Sequence, residues 1–451
     1  MSEANTVIPL REQPKADYWE ARRFKVFTAR QLDKIEPLRR LDEDTRFAMQ
    51  VVASVLPFRV NEYVIEELID WDRVPDDPIY QLTFPQKEML APEHFERVAA
   101  ALRGGDKAEI DATVASVREA LNPHPAGQME HNIPEVDGEK IDGIQHKYNE
   151  TVLFFPSQGQ VCHSYCTFCF RWAQFIGDND LKIATKEAGQ LKRYVQAHPE
   201  ITDILITGGD PLVMKTKNLR AHIEPLLELE QVRTIRIGSK ALTFWPHRFV
   251  SDADADDLLE LFREVRAAGK HLALMAHYNH WREMEPAIAR EAIRRVRETG
   301  AQIRAQGPLL AHINDNADDW ARLWQTQVEL GIVPYYMFVE RDTGARHYFE
   351  VPLARAWEIY RDAMKKVSGL ARTARGPSMS SHPGKVEIQG ITEIHGEKVF
   401  VLRMIQGRNA DWVQRPFFAK YNPDATWLNH LEPAFGEDRF FFDDELAELE
   451  G

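Results

Sequence analysis

The sequence is poor in cysteine and has no long apolar run. Its only three cysteines in 451 residues are Cys162, Cys166 and Cys169. An odd number of thiols packed this closely excludes a disulfide framework, which suits small secreted domains rather than a chain of 52 kDa. No apolar segment approaches the roughly 20 residues that a membrane-spanning helix needs. We therefore expect neither a disulfide-rich secreted protein nor an integral membrane protein.

The N-terminus and the charge balance exclude further classes of protein. The segment Met1–Thr6 has neither the basic region nor the apolar core of a secretory signal, which together with oxygen-sensitive thiols predicts a cytoplasmic location. The net charge of −14 argues against sequence-independent binding to nucleic acid, because that binding depends on neutralising phosphates. Apolar residues make up 44% of an otherwise ordinary globular composition. A small-molecule partner is expected, with no nucleic acid and no membrane.

The three cysteines form the motif Cys162-His-Ser-Tyr-Cys166-Thr-Phe-Cys169. Three thiolates at this spacing can hold a [4Fe–4S] cluster and leave one iron free to bind a substrate or cofactor. A structural zinc site is the alternative, but it needs four N or S ligands and usually paired Cys-x2-Cys units, and no second pair exists here. An electron-transfer module is a third interpretation, although such sites normally fill all four cluster positions with protein ligands.

Composition and periodicity divide the chain into three parts. Residues 1–145 carry the amphipathic patterns Thr45–Leu56 and Glu93–Leu121, with proline-rich breaks at 75–78 and 123–125 and a polar linker at 132–143. This part is predicted to be an N-terminal helical region. Residues 146–375 are predicted to form the catalytic core. Residues 376–451 are predicted to form a C-terminal segment and tail.

Six apolar runs of strand length alternate with helical patterns from Thr151 onward. The predicted strands are Thr151–Phe155, Asp203–Thr207, Thr234–Ser239, His271–Tyr278, Gln302–Leu310 and Val333–Val339. The predicted helices are Lys186–Ala197, Asn218–Leu229, Asp254–Ala268, Met284–Glu298, Ala317–Leu330 and Pro352–Val367. Successive strand–helix units predict an α/β protein with a parallel sheet. Six units are too few for a closed eight-unit barrel, so a doubly wound sheet or an incomplete barrel remains.

The C-terminal part has a different pattern. The runs Val386–Ile394 and Lys398–Met404 resemble two strands joined by a turn at His395-Gly396. The tail from Pro423 to Gly451, which ends in the acidic helix-like stretch Asp443–Glu450, is predicted to be a surface extension without chemistry.

The second predicted strand ends in Ile206-Thr-Gly208-Gly209-Asp210-Pro211. Two glycines allow backbone to approach a ligand closely, and an acid follows them. The same sequence is also an ordinary strand-ending turn. Its place one unit after the cysteines, at the edge where the parallel strands end, favours a binding function.

Several long-spaced motifs together resemble the lysine 2,3-aminomutase family of the radical S-adenosylmethionine (SAM) superfamily. They are the cysteine motif with Arg171, Leu205–Asp210, Ile235–Lys240, His277–His280 and Gly307–Asp315. The resemblance implies a partial (β/α)6 barrel, a cluster iron that binds SAM, and a 5′-deoxyadenosyl radical that abstracts hydrogen. The activity it implies is an amino-acid 2,3-aminomutase, an isomerase. SAM would be bound by Gly208, Gly209 and Asp210, with Ser239, His277 and Gln306 lining its pocket.

The same family uses pyridoxal 5′-phosphate (PLP), which a lysine binds covalently after a Pro-Gly-rich loop. The counterpart here is Ser380-Ser-His-Pro383-Gly384-Lys385, and desolvation of Lys385 at the start of an apolar strand would lower its pKa and favour nucleophilic attack. By the same resemblance, Lys147 would neutralise the PLP phosphate and Arg171 would bind the α-carboxylate of the substrate. Both are chemically suitable partners for these anions.

The sequence departs from the family pattern where lysine-specific members bind the distal ammonium with two aspartates. One position holds Ser381, and the counterpart of the other is Glu340, Arg341 or Asp342, in a loop one residue shorter than usual. Lysine is therefore in doubt as the substrate. The cysteines that bind zinc in some relatives are absent, so no zinc is expected.

Two functional interpretations follow from these residues. The first is a PLP-dependent 2,3-aminomutase, and the alternative is a PLP-independent radical SAM enzyme that abstracts hydrogen from another carboxylated substrate. In either case we expect an electron donor such as flavodoxin or ferredoxin, and a homo-oligomer.

Overall fold

The computed structural model of the chain describes residues 19–122, 133–136, 139–176, 184–185 and 188–449. The proline-rich break at 123–125, the first residues of the chain and parts of the linker at 132–143 lie outside these residues. So do the predicted start of the helix at Lys186 and the last residue of the predicted acidic stretch, Glu450.

The described N-terminal region is mainly helical. Strand β1 (Val26–Thr28) pairs antiparallel with β2 (Arg59–Asn61), and four helices surround them: α1 (Glu43–Val55), α2 (Pro78–Thr83), α3 (Pro92–Gly104) and α4 (Lys107–Leu121). The pattern Glu93–Leu121 is thus two helices. Gly105 ends α3 in the left-handed conformation at φ 76°, and the Asp106 carboxylate accepts a hydrogen bond from Ala108 N to begin α4.

Most of the remaining strands belong to one sheet. After the short pair β3 (Glu135–Val136) and β4 (Glu139–Lys140), eleven strands follow in chain order, and each lies beside the next in the sheet. They are β5 (Ile144–Tyr148), β6 (Thr151–Phe154), β7 (Asp203–Ile206), β8 (Thr234–Ser239), β9 (His271–His277), β10 (Gln302–Leu309), β11 (Val333–Val339), β12 (Arg375–Ser380), β13 (Gly384–Ile394), β14 (Glu397–Gly407) and β15 (Pro416–Lys420).

Helices connect the strands of the sheet. They are α5 (Ala188–Ala197), α6 (Thr216–Leu227), α7 (Ala241–Phe244), α8 (His247–Val250), α9 (Ala255–Ala267), α10 (Ala287–Glu298), α11 (Ala317–Glu329), α12 (Arg346–Phe349), α13 (Leu353–Lys365) and, in the tail, α14 (Asp443–Glu448). Single helical turns lie at Ala29–Lys34, Glu36–Arg40, Val64–Leu68, Lys87–Met89, Ser157–Gly159, Trp172–Phe175, Pro211–Val213, Trp281–Met284, Gly369–Ala371, Ala410–Trp412 and Leu428–His430.

The predicted α/β class with a parallel sheet is confirmed. Strands β6 to β12 run parallel, and the six predicted strands agree with β6 to β11 within one residue at each end. Five consecutive residues of β9 are buried, as expected for a strand that is covered on both faces. Strand β12 is a seventh parallel strand that the sequence pattern did not predict, because Gly376 and Pro377 are poor strand formers.

The sheet is strongly curved. Lys147 on β5 donates from Nζ to the carbonyl oxygen of Ser381, directly after β12, at 2.7 Å. In a flat sheet these two strands would lie about 34 Å apart, because neighbouring strands are spaced by about 4.8 Å. The contact therefore requires that the sheet bend until its β5 edge meets the end of β12.

The predicted C-terminal hairpin forms, with β13 and β14 joined at His395 and Gly396, both of which have positive φ. The tail differs from the expected surface extension. Trp412, Phe417 and Phe442 are buried in a second hydrophobic cluster against this hairpin. The aromatic residues at 440–442 fold back because their burial removes large apolar surfaces from water.

A larger hydrophobic cluster joins the N-terminal region to the helices and strands of the curved sheet. The proposed division at residues 145 and 375 stays a prediction, and both positions fall inside strands, β5 and β12. Among the described residues, no helix is both long and apolar enough to cross a membrane.

The packed tail leads to a stability prediction. Phe442→Ala should lower the free energy of unfolding by about 3–5 kcal/mol, because it leaves a cavity among aromatic rings. The matched control Leu449→Ala, at a side chain that is 59% exposed, should change it by less than about 0.5 kcal/mol. Denaturant titration of both variants measures the difference, and equal stabilities would show that the tail does not contribute to the core.

Candidate active site

The cysteine motif lies in the long segment that follows β6, at the edge where the parallel strands end. Strands β7 to β11 end at the same edge, and the segments that follow them begin there. Ligands of open and closed α/β sheets bind at this edge, because backbone groups and side chains from several loops converge there. All the site residues predicted from the sequence, except Lys147 and Lys385, belong to these strands or to the segments directly after them.

The N-terminal region holds the cysteine loop in place. Tyr165 N donates to Arg59 O at 2.8 Å and Thr167 N donates to Leu82 O at 3.0 Å. The fully buried Asn61 donates from Nδ2 to the carbonyls of His163 and Phe244. This function of the N-terminal region was missed by sequence reasoning, since the contacts join residues about 100 positions apart.

The three thiols are half-buried and form no disulfide. Burial raises the pKa of each, that of Cys169 to about 11, while the nearby Arg171 guanidinium lowers those of Cys162 and Cys169. Burial thus favours the protonated thiols, whereas coordination to a metal deprotonates a thiol outright. Among the described residues, no three His, Cys, Asp or Glu converge on a single-ion site. A four-iron cluster does not require its ligands to converge on one ion, because each of the three thiolates binds a different iron.

The Gly-Gly-Asp turn after β7 packs against the start of the cysteine loop. A Cβ on Gly208 would lie 2.4 Å from Gln160 Nε2, and one on Gly209 would lie 2.6 Å from Val161 N. Asp210 N donates to Gly159 O and Val161 O. The close approach that the glycines permit is therefore made by this chain's own backbone, and their contact with SAM stays a prediction.

Asp210 and Ser239 form one buried network. The Asp210 carboxylate accepts hydrogen bonds from Ser239 Oγ at 2.8 Å, Leu212 N at 2.9 Å and Lys240 N at 2.9 Å. His163 Nδ1 lies 3.7 Å from the same carboxylate and has no hydrogen-bond partner in the described part of the chain. The network fixes β7 and β8 relative to the cysteine loop. A role of either residue toward SAM stays a prediction.

His277 lies beside the cysteine motif. Its ring stacks on Phe168 with 5.9 Å between ring centres, and its strand neighbour on β10 is Gln306. Burial, together with the charge of Lys240, lowers the pKa of His277 to about 3, so the ring is neutral. His277 Nδ1 is buried and finds no partner among the described residues. An unpartnered polar atom beside Phe168 fits a pocket for a polar ligand such as SAM.

Lys240 is a site residue that the sequence motif contained but that was assigned no role. Its ammonium donates to Glu283 Oε1 at 2.6 Å, Asn279 Oδ1 at 3.0 Å and His277 O at 3.1 Å. Its charge lowers the pKa of the Cys166 thiol, although burial outweighs it. This buried cation stabilises negative charge at the cysteines, and its presence in the quoted motif was the available signal.

Lys385 begins β13 opposite Ser380 and Gln406. Its ammonium lies over the ring of Tyr336, 4.3 Å from the centre. Burial, followed by the charges of Arg375, Arg236 and Arg341, lowers the pKa of Lys385 to about 7. A neutral amine is therefore populated near physiological pH, as covalent binding of an aldehyde requires.

Lys147 contacts the turn between β12 and β13, directly before Lys385. Besides the hydrogen bond to Ser381 O, burial and the charges of Arg408, Arg341 and Lys385 hold its pKa well below the usual value. We call Lys147, Arg341, Lys385 and Arg408 the cationic cluster. Buried like charges repel one another, and a phosphate dianion would compensate them. The residues present therefore fit the phosphate of PLP.

Arg171 lies between the thiols and the cationic cluster. Its Nη2 donates to Gln174 Oε1, its guanidinium lies over the ring of Phe155 at 4.5 Å, and its Nε has no hydrogen-bond partner in the described chain. Burial lowers the pKa of Arg171 to about 10, and Cys169 and Cys162 oppose the shift. A buried guanidinium with a free N–H can accept a carboxylate from a ligand.

The loop after β11 brings Glu340 and Arg341 into the same site. Glu340 is buried, and burial raises its pKa well above the usual value, while Arg341 lies over the ring of Phe170 at 4.6 Å. Ser381, also buried, donates from Oγ to Gly384 O. Sequence reasoning named these loop residues only as alternatives.

Comparison with characterised proteins gives three informative similarities. The chain is 32% identical over 391 residues to an Aquifex aeolicus protein assigned as an L-lysine 2,3-aminomutase, which covers 86% of this chain and 91% of that protein. It is 24% identical over 363 residues to the L-lysine 2,3-aminomutase of Bacillus subtilis, covering 80% and 67%. It is 29% identical over 250 residues to that of Escherichia coli, covering 55% and 69%. No protein-family model matches the chain.

The similarities to solved structures are weaker. Streptococcus suis SuiB bound to precursor peptide SuiA aligns with a TM-score of 0.36 and 13% identity, covering 57% of this chain and 51% of that one. A radical SAM methyltransferase from Sphaerobacter thermophilus aligns with a TM-score of 0.36 and 16% identity, covering 51% and 68%. These scores are too low to support an argument.

The contacts of Asn61 lead to a prediction about the cysteine loop. Asn61→Leu should lower the free energy of unfolding by about 2–4 kcal/mol, because two buried carbonyls lose their donor. It should also reduce the iron retained after anaerobic reconstitution. The control Asn149→Ala, at an exposed position, should change neither quantity. Normal iron retention in a folded Asn61→Leu protein would show that the N-terminal region does not position the thiols.

Proposed function

The chain belongs to the lysine 2,3-aminomutase family of the radical SAM superfamily, and on that premise we propose that it moves the α-amino group of an amino acid to the β-carbon. The proposal assigns three cofactors: a [4Fe–4S] cluster, SAM and PLP. The observation that carries it is the convergence, at one edge of the sheet, of the three cysteines, Arg171 and the lysine pair Lys147 and Lys385.

The three cysteines would hold the cluster, with SAM in the pocket beside them. Gly208, Gly209, Asp210, Ser239, His277 and Gln306 are the residues proposed to contact or line this pocket. When bound, the cluster and SAM supply a carbon radical that takes a hydrogen atom from the substrate, and PLP holds the amino group while it moves. Such cofactors carry the difficult chemistry, and the protein supplies binding, orientation and electrostatics.

Arg171 is proposed to bind the substrate α-carboxylate. Its unpartnered Nε, together with its position over Phe155 and near Cys169, supports this role. A guanidinium fixed by burial and by Gln174 holds a carboxylate in one orientation. That orientation would place the α- and β-carbons toward the cysteines, where the hydrogen is exchanged. The contribution of Arg171 is thus positional.

Lys385 is proposed to bind PLP covalently through its amine, and Lys147 to bind the phosphate. The lowered pKa of Lys385, about 7, supports a nucleophilic amine. The aromatic rings of Tyr336 and Phe338 cover this amine and exclude water from it. Lys147 is oriented by Ser381 O, so the two lysines are held relative to each other by one turn.

We further propose that the strongly curved parallel sheet is the partial (β/α)6 barrel of the superfamily. The contact between β5 and the end of β12 supports this shape. A cytoplasmic location, an electron donor such as flavodoxin or ferredoxin, and a homo-oligomer stay predictions.

Anaerobic reconstitution with iron, sulfide, SAM, PLP and dithionite tests the function directly. We expect mass spectrometry to detect a β-amino isomer of one amino acid together with 5′-deoxyadenosine. Lys385→Ala should lower isomer formation by more than about 1,000-fold at unchanged iron content, because a covalent cofactor link is lost. The control Lys365→Ala changes an exposed lysine and should have no effect. A Lys385→Ala protein with full activity and no PLP would favour the PLP-independent alternative.

The pKa of Lys385 gives a prediction about pH. The amine is neutral above its pKa, so borohydride trapping of PLP on Lys385 should rise to half its maximum near pH 7. An ordinary lysine would reach that point about three units higher. Peptide mapping after reduction at pH 5 to 11 measures the profile, and a midpoint near pH 10 would contradict the assigned environment.

A further inference from the structure

Arg341 belongs to the cationic cluster, but the proposed function assigns it no ligand group of its own. It follows β11 and stacks on Phe170, the residue after Cys169. The acids whose charges act on its guanidinium are its chain neighbours Asp342 and Glu340. Of these acids, Glu340 is buried, and burial raises its pKa well above the usual value. Arg341 therefore has donors available to a ligand.

Arg341 occupies the middle of the site. Its charge lowers the pKa of Lys147 and of Lys385, so it lies close to both amines. Independently of charge, its contact with Phe170 places it beside the cysteine loop. A ligand that reaches from Arg171 toward the lysines therefore passes within reach of Arg341.

The other anions of the proposed reaction already have partners. Arg171 is assigned to the α-carboxylate and Lys147 to the PLP phosphate. One phosphate carries at most about two negative charges, so it does not offset all four cations of the cluster. A buried charge that is left over is costly unless a ligand carries the opposite charge. The inference that follows rests on the proposed function, because it assigns the remaining group of the same substrate.

The site offers little to a positively charged side chain. Ser381 stands where lysine-specific relatives have an aspartate, and its hydroxyl already donates to Gly384 O. Arg408 approaches the same turn, with its Nε donating to His382 O at 3.0 Å. A substrate ammonium at this end would face Arg341, Arg408 and Lys147, and the buried carboxyl beside them, Glu340, is shifted by burial toward its uncharged form.

We propose that Arg341 binds a second carboxylate, on the side chain of the substrate, and that the substrate is an acidic amino acid such as glutamate or aspartate. Two arginines, Arg171 and Arg341, would then hold the two carboxylates and fix the chain between them. The atom balance of the reaction is unchanged. The C–N bond at Cα breaks, a C–N bond at Cβ forms, and one hydrogen moves from Cβ to Cα without net oxidation.

Substrate selection and binding are measured on the reconstituted holoenzyme. Glutamate, aspartate, glutamine and lysine are each assayed for β-amino isomers by mass spectrometry. Dissociation constants come from the absorbance change of bound PLP when each amino acid is added without reductant. We expect isomer formation with an acidic amino acid and none with lysine.

Variants at Arg341 identify the residue responsible. Arg341→Gln should weaken binding of the acidic substrate by roughly 10- to 100-fold, since a charged hydrogen-bonding partner is lost. Arg341→Lys should weaken it less, because the charge remains. The control Arg355→Gln removes an exposed arginine on α13 and should leave binding unchanged. PLP content measured in each variant separates substrate binding from cofactor binding.

The possible results separate this inference from the proposed function. Isomer formation from lysine or glutamine alone, or unchanged binding of the acidic substrate in Arg341→Gln, would overturn the role of Arg341 but leave the aminomutase proposal intact. If Arg341→Gln does not fold, substrate binding by Arg341→Lys and the substrate selectivity of the natural protein still test the role of Arg341. The absence of any isomer and of 5′-deoxyadenosine would overturn both proposals.

Discussion

Positive charge buried at one edge of a curved sheet is the constraint on which the site depends. Burial is the largest cause of the lowered pKa values of Lys147, Arg341 and Lys385. The charges of Arg408, Arg341 and Lys385 lower the pKa of Lys147 further, and that of Arg341 also lowers the pKa of Lys385. Such an arrangement lowers the stability of the empty protein, and binding of an anionic ligand would offset this cost. Anionic ligands of this kind are a phosphate and carboxylates. Burial, with the charges of Arg375, Arg236 and Arg341, lowers the pKa of Lys385 to about 7, so the environment that favours phosphate binding also prepares a nucleophile.

The conformation of the cysteine loop depends on packing geometry and not on charge. It follows β6 and has no regular structure across the motif itself, so its shape comes from contacts on both sides. Asn61 and the backbone of the N-terminal region hold it from one side. The turn of Gly208 and Gly209 holds its first residues from the other, at distances that leave no space for side chains. The N-terminal region is therefore part of the active site's framework.

The sequence predicted well what depends on local pattern. Apolar runs such as His271–His277 identified the parallel strands, and the turn at Gly396 identified the hairpin. Prediction from the sequence failed where long-range packing determines the structure. Strand β12 was not predicted because Gly376 and Pro377 are poor strand formers, and the burial of Phe442 was not predicted because the tail ends in an acidic stretch. In the site, the cysteines and Lys385 were selected by motif, and their cofactor roles stay predictions. The role proposed for Arg341 was not predicted, because it depends on contacts with residues distant in sequence, such as Phe170, 171 positions earlier.

The most direct test of this account compares two ligands that differ only in the phosphate. Thermal unfolding of the cofactor-free protein is measured with PLP and with pyridoxal, each at the same concentration. Both aldehydes can react with Lys385, but only PLP can compensate the cationic cluster. The account predicts that PLP raises Tm by several degrees more than pyridoxal does. Equal shifts from the two ligands would contradict it, because the buried charges would then not form an anion site.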